Sequence, residues 1–180
     1  MRKPQVNWKA FIRQYLLSKN PTEQTWRAPN RKLLGSMGIY LPSMQSNTVG
    51  PLAIIMDTSG SVSKKERESY LAEISAIKAE LKPEKVYVLM IDTEVAECFE
   101  FGAYDDINSL DMTGGGGTDM TPGFKYIEEC LPDTETILCF SDLEFFGHWP
   151  EESTTPTIWL STSEIDEAPW GIVVQTNPDL

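Results

Sequence analysis

The sequence has few of the residues on which zinc enzymes and disulfide-bonded proteins depend. Its 180 residues include one histidine, His148, and three cysteines, Cys98, Cys130 and Cys139. An odd number of cysteines without close spacing argues against both a disulfide framework and a zinc site. We therefore expect reduced, packed cysteines, with Cys130 and Cys139 in apolar surroundings, and a cytoplasmic protein.

Long apolar runs are also missing. No stretch approaches the roughly 18 apolar residues that a membrane span needs, and residues 1–7 lack the apolar core of a signal peptide. The composition, 41% hydrophobic and 23% charged, is that of an ordinary globular domain. These absences support the expectation of a cytoplasmic protein without membrane contacts.

Acidic residues are nearly absent from residues 1–50, where eight Lys and Arg accompany one acid, Glu23, for a charge of +7. Residues 51–180 hold 7 basic and 26 acidic residues and carry −19. The basic arm therefore either folds against the acidic body or meets an external anion such as nucleic acid.

The arm contains one predicted amphipathic helix, residues 7–18, which Asn20-Pro21 ends. Its apolar residues recur at helical spacing and are Trp8, Phe11, Ile12, Tyr15 and Leu16. A nucleic-acid tail would not need this stripe, so we expect residues 1–50 to pack on the body as a helix and extended arm. Proline and glycine breakers predict a mostly irregular chain over residues 26–43.

From Leu52 onward, strands and helices alternate. A helix follows the capping box of residues 63–66, and another opens at Thr121-Pro122. The predicted strands are residues 52–56, 86–91, 95–101, 136–140, 157–160 and 172–174. This pattern predicts a three-layer α/β fold with a mostly parallel, twisted sheet, one antiparallel edge strand (residues 95–101) and helices on both faces.

Oxygen-bearing side chains stand in three loops of this pattern, two of them directly after predicted strands. Asp57-Thr-Ser-Gly-Ser61 follows the first strand, Thr118-Asp119 follows four glycines, and Asp142 comes after the fourth strand. Oxygen ligands of low total charge suit a hard cation such as Mg²⁺. Ligands of such folds bind where the strand order reverses, a point that Asp57 and Asp142 would flank.

Together these segments resemble the metal-ion-dependent adhesion site of von Willebrand factor A (vWA) domains, whose pattern is D-x-S-x-S, then a Thr, then an Asp. The resemblance covers about residues 50–175, and we assign residues 51–180 to a Rossmann-like vWA domain. It implies bound Mg²⁺, with Mn²⁺ or Ca²⁺ as alternatives. The ligands that the resemblance implies are Asp57, Ser59, Ser61, Thr118 and Asp142. One or both of the last two, Thr118 and Asp142, would act through water.

Two further residues lie beside this set. Asp119 would contact the ion from outside the ligands or cap the following helix, and the sequence leaves both roles open. Gly117 would allow a similar contact to the ion from outside the set of ligands.

A more specific similarity is to a bacterial and phage branch of vWA-like proteins in which this domain follows a metallopeptidase-like region. The branch also has Asp-Leu-Glu, here residues 142–144, where many vWA domains have Asp-Gly. Further similar stretches are residues 7–9, 26–31, 40–43 and 168–171. The branch's H-E-x-x-H zinc motif is missing here, so peptidase activity is not carried over: either that region was trimmed away or the protein lacks it.

We interpret the chain as a non-enzymatic protein-binding module. A cation bound by hydroxyls stays partly unneutralised and would take a carboxylate oxygen from an Asp or Glu of a partner. The family resemblance implies a MoxR-type AAA+ ATPase as that partner. The surface around the ion that contacts the partner, the contact rim, would comprise Phe145, Phe146, His148 and Trp149. We expect at least one of these aromatic rings to lie in the core. His148 would alternatively act as a pH-sensitive neighbour of the metal or simply anchor its loop.

Two other functions compete with this interpretation. The first is a metal-dependent hydrolase or phosphatase, but Ser59 stands where D-x-D-x-[TV] phosphotransferases have the second acid that would protonate the leaving oxygen. The second is a nucleic-acid-associated protein that binds through the basic arm.

Overall fold

The computed structural model describes residues 8–19, 24–29, 42–44, 49–60, 63–107, 110, 117, 119–145 and 148–176. No helix within these ranges combines the length and the apolar character that crossing a membrane requires. In chain order the described elements are α1 (Trp8–Lys19), β1 (Gln24–Pro29), β2 (Pro42–Met44), β3 (Leu52–Asp57), α2 (Lys64–Leu81), β4 (Lys85–Ile91), β5 (Val95–Gly102), α3 (Thr121–Cys130), β6 (Thr136–Ser141), β7 (Thr157–Ser161) and β8 (Ile172–Gln175).

Six of these strands form one sheet, in the order β5-β4-β3-β6-β7-β8. β5 runs antiparallel to β4, and all other neighbours are parallel. The chain thus runs outward from β3 to one edge and then returns to start again at β6, on the other side of β3. The predicted sheet with its antiparallel edge strand is confirmed, and the strand order reverses between β3 and β6.

Helices and loops cover both faces of the sheet. All residues of β3, β6 and β7 are buried, which explains why these segments read as continuous apolar runs without alternation. α1 and α2 pack on one face, in a cluster that includes Ile54 and Leu138. α3 and several aromatic residues pack on the other face, around Ile55 and Trp159. The predicted three-layer α/β fold is confirmed.

The N-terminal helix contributes to the first of these clusters. Ile12 and Leu16 are 1% and 2% exposed, and Phe11 and Tyr15 pack at the edge of the same cluster. Arg13 Nη1 also lies 3.0 Å from Glu80 Oε1 on α2, but both side chains are exposed. An exposed ion pair contributes little to stability, so apolar burial is the main attraction between α1 and the body.

Two features differ from the sequence prediction. Residues 26–43, expected to be mostly irregular, include parts of β1 and β2, which pair antiparallel with a register shift between Thr25 and Pro29. Prolines stand at the ends of these short edge strands, so the sequence pattern does not predict that they pair. Cys130 is exposed, unlike the buried Cys139, because it ends α3 outside the buried stripe that runs through Phe124 and Ile127.

We expect Leu16→Ala to lower the free energy of unfolding by about 2–5 kcal/mol, the usual range for truncating a buried leucine. Chemical denaturation measures this change. Gln14→Ala, on the exposed side of the same helix, is the control and should cost less than about 0.5 kcal/mol. Equally small losses for both variants would show that α1 does not belong to the cooperative core.

Candidate metal centre

Asp57 ends β3 at the middle of the sheet, where the strand order reverses. Its carboxylate is fully buried and is oriented by hydrogen bonds on both oxygens. The Ser59 amide donates to Oδ1 at 2.9 Å, and the Ser141 hydroxyl donates to Oδ2 at 2.8 Å. The Ser59 side chain also hydrogen-bonds to this carboxylate. The group is therefore held in one orientation before any ligand arrives.

The electrostatic surroundings of Asp57 disfavour its charged form. Burial raises the pKa of Asp57 above its ordinary value of 3.8, and the neighbouring Asp142 carboxylate raises this pKa further. The hydrogen bonds from Ser59 and Ser141 oppose the rise. Among the described residues, no Lys, Arg or His acts on this carboxylate. Within the part of the chain that the structure describes, the junction of β3 and β6 thus brings two acidic groups together without a compensating positive charge.

Asp142 lies in a tight turn directly after β6. Its Oδ1 accepts a hydrogen bond from the Glu144 amide at 3.0 Å, and its carbonyl oxygen accepts one from the Ser163 hydroxyl at 2.6 Å. Leu143 has a φ of +61°, a left-handed conformation that glycine adopts at low cost and leucine does not. The Leu143 side chain is buried, and this burial offsets the strain.

The structure brings three of the five predicted ligands together. Ser59 is buried beside Asp57, and Asp142 is near enough to act on the Asp57 carboxylate. Ser61 and Thr118 lie outside the described residues, so their roles stay predictions.

The two residues predicted to stand beside the ligand set are both exposed. Asp119 Oδ1 accepts a hydrogen bond from the Thr121 amide at 2.9 Å, at the start of α3. Of its two predicted roles, the described contact is therefore the one at the helix start. At Gly117, a Cβ atom would lie 3.1 Å from Thr93 Cγ2, so glycine lets two loops approach closely.

Of the aromatic residues that closely follow Asp142, the structure describes Phe145 and Trp149, and Phe145 lies in the core, as expected of at least one of them. Phe145 is buried, and its ring meets Trp149 and Trp159 edge-on, with centroids 4.7 and 5.9 Å away. Its assignment to a contact rim is therefore corrected, because a buried ring cannot form a partner surface. Trp149 is half-buried against the same cluster, and His148 is exposed. Phe146 lies outside the described residues.

Sequence reasoning missed Ser141, whose hydroxyl links the two acidic segments. Ser141 ends β6, and the in-register pairing of Met56 with Phe140 brings it beside Asp57. The only signal in the sequence is its place directly before Asp142. That signal gains meaning only when the strand register is known.

The donors at this junction fit a hard divalent cation. Two carboxylates and a serine hydroxyl are oxygen donors of the kind that Mg²⁺ prefers, and a buried carboxylate without a positive neighbour gains stability when a cation binds. Across the described part of the chain, no group of three or more His, Cys, Asp or Glu side chains is arranged to hold a metal. Any site at this junction therefore depends on hydroxyl ligands as well as on Asp57 and Asp142.

We expect glycine to be better than alanine at position 143. Leu143→Ala should lose about 2–5 kcal/mol of stability through lost burial, and Leu143→Gly should be more stable than Leu143→Ala by about 1 kcal/mol because the left-handed backbone suits glycine. Ala53→Gly in the buried strand β3 makes the same chemical change at an ordinary backbone position and should destabilise. Denaturant melts compare the variants; a Leu143→Gly protein less stable than Leu143→Ala would contradict the strained turn.

We expect Asp57→Asn to raise the melting temperature by a few degrees at pH 7 in EDTA. Asparagine keeps the size and the Oδ1 acceptor but removes the buried charge. Folding raises the pKa of Asp57 above 3.8, so the carboxyl ionises at a lower pH in the unfolded chain than in the folded one. As the pH rises above 3.8, the free energy of unfolding of the wild type therefore falls relative to that of the variant. The advantage of the variant should therefore be absent near pH 3.5 and present at pH 7. An Asp57→Asn variant that is less stable than the wild type only at neutral pH would contradict the raised pKa of Asp57.

Comparison with known proteins agrees with the fold. An uncharacterized protein of Thermotoga maritima is 27% identical over 146 residues, which cover 79% of this chain and 34% of that protein. The chain thus spans about a third of the length of this curated relative. A family model described as VWA-like domain (DUF2201) matches residues 52–177, from the first residue of β3 to just beyond β8. The predicted vWA-like domain is confirmed, and the chain belongs to the VWA-like domain family (DUF2201).

Proposed function

We propose that this domain is a protein-binding module whose contact point is a divalent cation held at the junction of β3 and β6. The observation that carries the proposal is the Asp57 carboxylate, which is fully buried, oriented by hydrogen bonds and close to a second acid. Burying a charge without a partner is costly, so a folded protein that keeps this group in place gains from a cation there.

The proposed ligands are the five residues of the sequence motif, with Mg²⁺ as the expected ion and Mn²⁺ or Ca²⁺ as alternatives. Asp57 and Ser59 would bind from the end of β3, Asp142 from the turn after β6, and Ser61 and Thr118 from neighbouring loops. When bound, the cation supplies a positive contact point for an oxygen ligand from outside the domain. The protein's own part is to fix the carboxylates and to leave one side of the site accessible.

The proposed ligand from outside is an Asp or Glu side chain of a partner protein. Residues 51–180 carry −19, so an acidic partner needs a local positive charge in order to approach. A MoxR-type AAA+ ATPase in the cytoplasm is the partner that the family resemblance favours. Action as part of a metallopeptidase system is the alternative. Nucleic acid is a weaker candidate, because the apolar stripe of the basic helix is buried against the sheet through Ile12 and Leu16.

An enzymatic role is the competing proposal, and the residues around Asp57 lack a general acid for it. Ser59 stands where D-x-D-x-[TV] phosphotransferases have the second acid that would protonate the leaving oxygen. We therefore propose binding without catalysis. A phosphatase and esterase screen with Mg²⁺ tests the alternative: turnover that Asp57→Ala abolishes would reverse this ranking.

We expect calorimetric titration with Mg²⁺ or Mn²⁺ to show one site in the wild type and none in Asp57→Ala. Ser59→Ala and Asp142→Asn should each weaken binding, by about 10-fold or more if each removes a direct or water-mediated ligand. Glu144→Gln is the matched control, since it removes an exposed charge two residues from Asp142 and should leave the affinity unchanged. Equal heats for wild type and Asp57→Ala would overturn the proposed site.

The binding function itself is tested with a purified MoxR-type ATPase from the same organism. We expect the complex to form with Mg²⁺, to dissociate in excess EDTA, and to be weakened by Ser59→Ala while the melting curve stays intact. A complex that survives both EDTA and Ser59→Ala would mean that another surface, such as the loop of His148 and Trp149, makes the contact without metal.

A further inference from the structure

The hydroxyl of Ser141 joins the two acidic segments of the site. Its Oγ lies 2.8 Å from Asp57 Oδ2 and 3.1 Å from the Leu143 amide nitrogen. The side chain is fully buried, so water does not compete for either bond. One oxygen atom thus contacts both the carboxylate at the end of β3 and the turn that carries Asp142.

The direction of both hydrogen bonds is fixed by the chemistry of the two partners. An ionised carboxylate only accepts, and a backbone amide only donates. The Ser141 hydroxyl must therefore donate its proton to Asp57 and accept from Leu143. This arrangement holds one Asp57 oxygen in place while its remaining lone pairs stay available, and it fastens the left-handed turn at Leu143, whose φ is +61°.

We propose that Ser141 is a positioning residue for the cation site: it fixes the Asp57 carboxylate and the Asp142 turn relative to each other, without binding the ion itself. This inference rests on the proposed function, since it concerns the same site. Residues that hydrogen-bond to metal ligands commonly set ligand orientation, and their loss costs about 10–100-fold in metal affinity.

The chain offers a control for this role in Thr157, the first residue of β7. Its side chain is buried, and its hydroxyl donates to the Thr155 carbonyl oxygen at 3.0 Å. Thr157 lies at the opposite end of β7 from the strand end that faces Ser141. Thr157→Val therefore removes a buried, hydrogen-bonded hydroxyl at a distance from the proposed site.

The test is calorimetric titration of the whole chain with MnCl₂ alone. Ser141→Ala should weaken Mn²⁺ binding by about 10–100-fold, whereas Thr157→Val should leave the affinity unchanged even if its melting temperature falls. Ser141→Thr and Ser141→Val form a second, nearly isosteric pair that differs in the hydroxyl: the Thr variant should bind like the wild type and the Val variant should not. This pair decides the question if Ser141→Ala does not fold.

The Asp57→Asn variant shows whether the Mn²⁺ signal comes from this site. The melting-temperature change that Mn²⁺ produces should vanish in Asp57→Asn. Wild-type protein that gives no Mn²⁺ signal would overturn the proposed function and this inference with it. Wild-type binding that Ser141→Ala and Ser141→Val both retain would overturn the positioning role alone.

Discussion

The burial of the Asp57 carboxylate is the constraint around which the rest of the structure is arranged. The sheet places this group at the junction of β3 and β6, fully covered and beside a second acid. Hydrogen bonds from Ser59 and Ser141 reduce the cost of that burial but add no positive charge. A protein that buries charge in this way sacrifices stability for a site that is ready to bind, and a divalent cation is the ligand that would recover the lost stability.

The fold serves this junction through two kinds of contact. Parallel in-register pairing of β3 with β6 sets Asp57 beside Ser141, and the turn after β6 is held by Ser141 and by the Ser163 hydroxyl on the Asp142 carbonyl. Behind the turn, Phe145 packs on Trp149 and Trp159, so the loop is anchored in the core. The same anchoring removes Phe145 from any partner surface.

The sequence was a good guide to the architecture because its signals are strong and local. Continuous apolar runs predicted the buried strands, and Ser63 and Pro122 marked helix starts. The small sheet of β1 and β2 escaped prediction because prolines stand at its ends and its strands are short. Ser141 escaped for a different reason: its partners are Asp57, 84 residues away, and an amide two residues on, and only the strand register brings all three together.

The central claim is that a cation occupies the space beside Asp57, and paramagnetic Mn²⁺ in an amide NMR spectrum locates it most directly. We expect substoichiometric Mn²⁺ to broaden the amide signals of Ser59 and Leu143 first and to leave that of Gly102, at the opposite end of β5 and of the sheet, sharp. The broadening should disappear in Asp57→Asn. Broadening that centres instead on an exposed acidic stretch such as Glu151 and Glu152, or that persists unchanged in Asp57→Asn, would contradict the account.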